Sequence, residues 1–200
     1  MKNMIHPASA YQAFESGQRR ALFTLFGVPW TATGESWRFN ASRLAAGLAA
    51  SFIFLRAFPA GERLLYGLLF GLLLGLSNFL HIIGHLISGK LAGAPMDENL
   101  VTPYSILTAY HEDPAETPER VHLARAAGDP LATLLLASSS FAAWRLLGGP
   151  AWGFLAAANG LLLGMVILPL PGADRQVIWR QLLPPSSDPS RAEKEKDLEG

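Results

Sequence analysis

Residues 64–89 read LLYGLLFGLLLGLSNFLHIIGHLISG, and within that run only His81 and His85 can carry charge. About 20 apolar residues suffice to carry a helix across the hydrocarbon of a bilayer. The run is therefore read as a membrane-spanning helix with two imidazoles inside it or at its edge. A soluble domain could bury such a helix, but the placement of charge argues against one. Charged residues make up 16% of the chain, against roughly 25% in soluble domains. They gather at the N-terminus, in a middle segment and in the C-terminal tail, and leave long apolar stretches between.

Those stretches predict an all-α integral membrane protein with about four transmembrane helices. Residues 44–58 form one, a helix over 44–61 in which Arg56 snorkels to the interface; a re-entrant or amphipathic helix is the alternative. Residues 64–89 form the second. Residues 130–147 form the third, with Pro130 as its first helical residue. Gly148, Gly149 and Pro150 then make a tight turn into a fourth helix over 151–170. Residues 1–43, with Arg19, Arg20, Arg38 and Arg43 among Phe23, Phe26, Trp30, Trp37 and Phe39, read as a segment lying on the bilayer surface or as a small folded cap. Residues 90–129 read as a polar loop with a short helix near 117–127. The membrane domain then covers 44–175, and 176–200 is a polar tail ending in a charged, disordered run. Trp144, Trp152 and Trp179 suit interface anchors at helix ends.

If all four segments cross, the arginine-rich N-terminus, the 90–129 loop and the C-terminus share one side. The positive-inside rule puts that side in the cytoplasm, and a bacterial inner membrane is the expected location. The first residues lack the apolar run of a secretory signal. With 16 basic and 16 acidic residues the net charge is zero, which argues against a nucleic-acid partner. There is no cysteine, so neither disulfides nor thiolate chemistry is available. Gly67, Gly71 and Gly75 recur every fourth residue and give one helix face on which another helix can pack closely.

His81 and His85 are spaced i, i+4, which puts both imidazoles on one helix face, where they can share a metal ion. A pair of histidines hydrogen-bonded across helices near the headgroups fits the same spacing. Polar side chains in a membrane helix usually face a protein interior or cavity.

The segment FLHIIGHLISGKLAGAP resembles the first motif of the site-2-type intramembrane zinc metalloproteases, the M50 class, in which a core helix carries His-Glu-x-x-His. Here it reads His81-Ile82-Ile83-Gly84-His85. AAGDPLATLLLA, residues 126–137, is similar to the family's Gly-Pro-x-x-Asn segment, with Asp129 intervening before Pro130 and Thr133 in place of asparagine. VILPLPGADR, residues 166–175, is similar to the family's Asn-x-x-Pro-x-x-x-Leu-Asp-Gly segment. Pro169 and Asp174 are kept, and Val166, Ala173 and Arg175 replace the asparagine, leucine and glycine. The resemblance covers about residues 64–180 and implies a three-helix protease-like core. It also implies zinc held by His81, His85 and Asp174, with a fourth position for water. Asp174 equally suits a cap on a short turn after Pro171 and Gly172.

The main departure is Ile82. In the family mechanism the glutamate there takes a proton from the zinc-bound water, and isoleucine cannot. Glu98, Glu112 and Asp129 are the acids that could substitute, though the sequence places none of them near the histidines. The asparagines replaced by Thr133 and Val166 help hold a substrate strand in the family. These changes imply a noncatalytic protease-like protein acting as an accessory or regulatory subunit alongside other integral membrane proteins. The alternatives are an active zinc-dependent intramembrane protease with a non-standard base, and a proton- or ion-handling component, since histidines exchange protons near neutral pH. Haem on the two histidines is disfavoured, because one helix cannot supply both opposite axial ligands.

Overall fold

The computed structural model describes residues 19–109 and 118–167. His6, His111, Glu112, Asp174, Trp179 and the tail over 176–200 lie outside the described residues. Among these residues four helices and four strands follow one another as β1 (Arg20–Leu25), β2 (Val28–Ala32), α1 (Trp37–Phe54), α2 (Ala60–Leu91), β3 (Glu98–Val101), β4 (Ile106–Ala109), α3 (Glu119–Leu147) and α4 (Pro150–Ile167).

The helical membrane core expected from the apolar runs is present, and a four-stranded sheet is added to it. The sheet has the order β1-β2-β3-β4. β1 and β2 form a hairpin across Phe26 and Gly27, which both have positive φ, 51° and 84°, as a two-residue hairpin turn requires. β3 and β4 form a second antiparallel pair. The two pairs join through β2 and β3 in parallel, with Trp30 opposite Asn99 and Ala32 opposite Val101. Parallel strands need a long crossover, and here the crossover is the whole α1–α2 hairpin. The segments expected as a surface cap and as a loop thus meet as one sheet.

That sheet packs on α2. Val28 and Met96 bury against Leu86, and the Trp30 ring lies 5.4 Å from that of Phe79. Glu98 fastens the two halves. Its carboxylate accepts hydrogen bonds from Arg19 Nη1 at 2.8 Å and Thr31 Oγ1 at 2.5 Å.

Two helices, α1 and α3, begin well before their expected starts at 44 and 130. α1 starts at Trp37 rather than near 44 because its polar residues fold back on the helix. Ser42 and Arg43 both donate to the Phe39 carbonyl, and the Arg43 guanidinium stacks over the Phe39 ring. α3 starts at Glu119, so Pro130 sits inside it rather than at its first turn. Proline removes one backbone donor and crowds the carbonyls of the preceding turn. A membrane helix tolerates this when neighbouring groups take up the released ones.

Among the described residues, Ala60–Leu91 and Leu123–Leu147 are long and apolar enough to cross a membrane, and the apolar run Pro150–Met165 is shorter. Leu72, Leu135 and Leu161 are 66%, 71% and 68% exposed. So much outward-facing apolar surface on long helices is at home in lipid and would be a liability in water. The protein is an integral membrane protein. α2, with 32 residues, is about 48 Å long at 1.5 Å per residue, longer than the roughly 30 Å of hydrocarbon.

Gly67 and Gly71 face α1. A β-carbon on Gly67 would lie 2.7 Å from Ser51 Oγ and one on Gly71 2.7 Å from the Leu44 Cα, whereas one on Gly75 would meet nothing within 4 Å. α4 is fixed to α2 by the Phe70–Phe154 ring stack, 4.0 Å between centroids, and by Ser77 Oγ donating to Asn159 Oδ1 at 2.5 Å.

Candidate metal centre

Two i, i+4 pairs face one another where α2 crosses α3. His81 and His85 project from one helix, Asp129 and Thr133 from the other. The crossing is close because glycines meet there. A β-carbon on Gly84 would stand 2.5 Å from the Gly128 carbonyl oxygen and 2.6 Å from the Ala132 Cβ. Only this approach lets a short aspartate on α3 reach both histidines on α2.

The carboxylate does two different things. His81 Nδ1 lies 2.5 Å from Asp129 Oδ1, a short charge-assisted hydrogen bond. His85 Nε2 lies 3.8 Å from Asp129 Oδ2. That is too long for a hydrogen bond, yet near the separation of two donors flanking one ion, about 3.3 Å for ideal tetrahedral angles with bonds of about 2.0 Å. His85 is aimed by its other nitrogen, since Nδ1 lies 3.1 Å from the Arg125 carbonyl oxygen. A carbonyl can only accept, so in the neutral ring Nδ1 carries the proton and Nε2 presents its lone pair, the arrangement common in metal-ligating histidines. Ser88 Oγ donates to the same carbonyl at 3.1 Å. Both bonds converge on one carbonyl of the turn that precedes Pro130. Arg125 itself is buried, and its Nε donates to the Ala94 carbonyl at 2.8 Å, tying α3 to the chain that leaves α2.

His81, His85 and Asp129 bring one donor atom each to within 4.8 Å of one another. Two imidazole nitrogens and a carboxylate oxygen suit zinc or a similar divalent ion. The side chains are largely shielded: Asp129 is 6% exposed, His85 9% and His81 25%. The cluster can hold a metal ion. The His81–Asp129 hydrogen bond is shorter than two donors on one ion would sit, so an ion here would be bound by His81 through Nε2 or by a modest opening of that contact.

The two histidines expected at the site are thus together, and Asp174 lies outside the described residues. Asp129, weighed from sequence only as a substitute base, is the acid that the fold brings to them among the described residues. The sequence does carry a signal for it, since it precedes a proline at the point where α3 is expected to begin. A loop reading hides that it lies on a helix, four residues before Thr133. Of the other acids considered, Glu98 is committed to Arg19 and Thr31. Ile82 is buried.

No family model matches the chain, and no curated protein matches it. Among solved structures it is similar to the site-2 protease from Methanocaldococcus jannaschii, with a TM-score of 0.53 and 20% identity over 84% of this chain and 73% of that one. The chain has the site-2 protease fold, with a His-His-Asp cluster at the crossing of two of its helices and no glutamate after the first histidine.

Proposed function

We propose that this is a noncatalytic, metal-binding membrane protein of protease fold that serves as an accessory or regulatory subunit of a membrane complex. The observation that carries the reading is the fate of the base. Ile82, at 5% exposure, stands where the mechanism needs a carboxylate. Among the described residues the acid that reaches the histidines, Asp129, is engaged by His81 and Thr133. A general base must take a proton from a reacting water. Isoleucine has no lone pair for it, and a carboxylate used as ligand and hydrogen-bond acceptor is not at the same time that base. A metal ion bound there supplies a cross-link between α2 and α3.

Support for a membrane partner comes from small residues that nothing in the described chain covers. A β-carbon on Gly75 of α2, or on Gly160 or Gly164 of α4, would meet nothing within 4 Å, which leaves room for another helix to approach. The reading includes four crossings, with α1 as a span, and both termini in the cytoplasm of a bacterial cell. Its basis is the arginines at positions 19, 20, 38 and 43 before and within the start of α1.

The test is purification in mild detergent together with a cleavage assay in proteoliposomes. A stoichiometric membrane partner, lost in Gly160→Leu, with no zinc-dependent cleavage of transmembrane substrates, is expected. Zinc-dependent cleavage abolished by His81→Ala would overturn the proposal in favour of an active protease.

A further inference from the structure

Thr133 is 2% exposed and sits against the metal cluster without belonging to its donor set. Its hydroxyl donates to Asp129 Oδ1 at 3.1 Å and lies 3.2 Å from His81 Nδ1. Oδ1 therefore takes two donors, the Thr133 hydroxyl and His81 Nδ1. Oδ2, the oxygen that faces His85 Nε2, is left as the atom for an ion. The i, i+4 spacing on α3 makes this possible, because it stacks the Thr133 side chain on the Asp129 side chain along one face.

From this geometry we infer that Thr133 is a positioning residue of the metal centre. Together with His81 Nδ1 it holds the Asp129 carboxylate in the rotamer that turns Oδ2 towards His85, and so sets how well α3 supplies a ligand. Where the resemblance places an asparagine, this chain thus has a residue that orients a carboxylate the usual motif lacks. A threonine also suits the space. Its hydroxyl reaches the neighbouring carboxylate on the same helix, and the residue is almost fully buried. Partners of this kind commonly change metal affinity by about 10–100-fold when removed.

The inference rests on the reading of His81, His85 and Asp129 as a metal site, and the experiment separates the two. Zinc and cobalt(II) affinities are measured by competition with a chelator on the full-length protein in detergent, for wild type, Thr133→Val and Thr133→Ser. The thermal midpoint of each metal-free protein is recorded alongside. Thr133→Val keeps the shape and removes the hydroxyl, and Thr133→Ser keeps the hydroxyl. The expected result is an affinity weakened about tenfold or more in Thr133→Val, with an altered cobalt(II) visible spectrum, and near wild-type values in Thr133→Ser. Equal affinity and spectrum in wild type and Thr133→Val overturn the positioning role while leaving the metal site intact. Equal losses in both variants also overturn it, because the hydroxyl would then not be the cause. No metal binding in wild type overturns the metal reading and this inference with it.

Discussion

The carbonyl oxygen of Gly128 occupies the space that a β-carbon on Gly84 would need, 2.5 Å from where that atom would stand. The neighbour on that side is backbone, which cannot swing away as a side-chain tip can. α2 and α3 are held at this distance, and Asp129, the next residue along α3, reaches His81 and His85 because of it. Gly84→Ala should therefore push the helices apart. Overpacking of this kind costs about 1–3 kcal/mol. A lower thermal midpoint together with weakened metal binding is the expected outcome, whereas Gly75→Ala, where a β-carbon meets nothing within 4 Å, should change neither.

The Ser77–Asn159 hydrogen bond joins α2 to α4, and both residues are buried. Asn159 also donates to the Leu155 carbonyl on its own helix, so it keeps one bond when Ser77 is lost. Hydrogen bonds between membrane helices average about 0.6 kcal/mol and reach about 1.7. Ser77→Ala should cost an amount in that range. The double variant Ser77→Ala with Asn159→Leu should recover part of it, because no acceptor is then left unpaired. Unfolding in mixed micelles with increasing denaturing detergent measures both.

Glu98 links β3 to Arg19 and to Thr31 of β2. Its carboxylate is only 11% exposed, so losing it leaves a shielded guanidinium with one acceptor fewer. Glu98→Ala should loosen the parallel β2–β3 junction more than the helices. Faster amide exchange in residues 28–32 and 98–101, with the α2–α3 crossing unchanged, is the expected pattern.

Leu72 lies on α2 and is 66% exposed, on a helix assigned to the bilayer. Arginine at the centre of a membrane helix costs about 2.5–3.5 kcal/mol on insertion scales. Leu72→Arg should sharply reduce the membrane-inserted fraction, read by resistance to alkaline extraction. The same change on a soluble protein's surface would be harmless.

Much of this architecture is legible in the sequence for one reason: lipid imposes a simple rule. Residues 64–89 and the run after Pro130 are long and predominantly apolar, and such runs have few folds open to them. The sheet is hidden because its strands are short, their pairing is distant in sequence, and β2 carries Pro29, a residue that argues against a strand. The Phe26–Gly27 turn lacks the Asn-Gly signature that marks a tight hairpin. The start of α3 is obscured because Pro130 reads as an ordinary first-turn residue, whereas it lies well inside the helix, where proline is uncommon. The spacing of His81 and His85 is enough to single them out. Nothing comparable marks Asp129, because its role depends on a helix crossing made by Gly84 and Gly128, and no local pattern encodes that crossing.

The central claim is that α3, through Asp129, completes a metal site on α2. It is tested most directly by metal content per chain, measured by elemental mass spectrometry on gently purified wild type, His81→Ala, Asp129→Ala and Asp174→Ala. Near-stoichiometric zinc in wild type, lost in both His81→Ala and Asp129→Ala, is the predicted result. Zinc retained in Asp129→Ala and lost in Asp174→Ala, or no zinc in wild type, would contradict it.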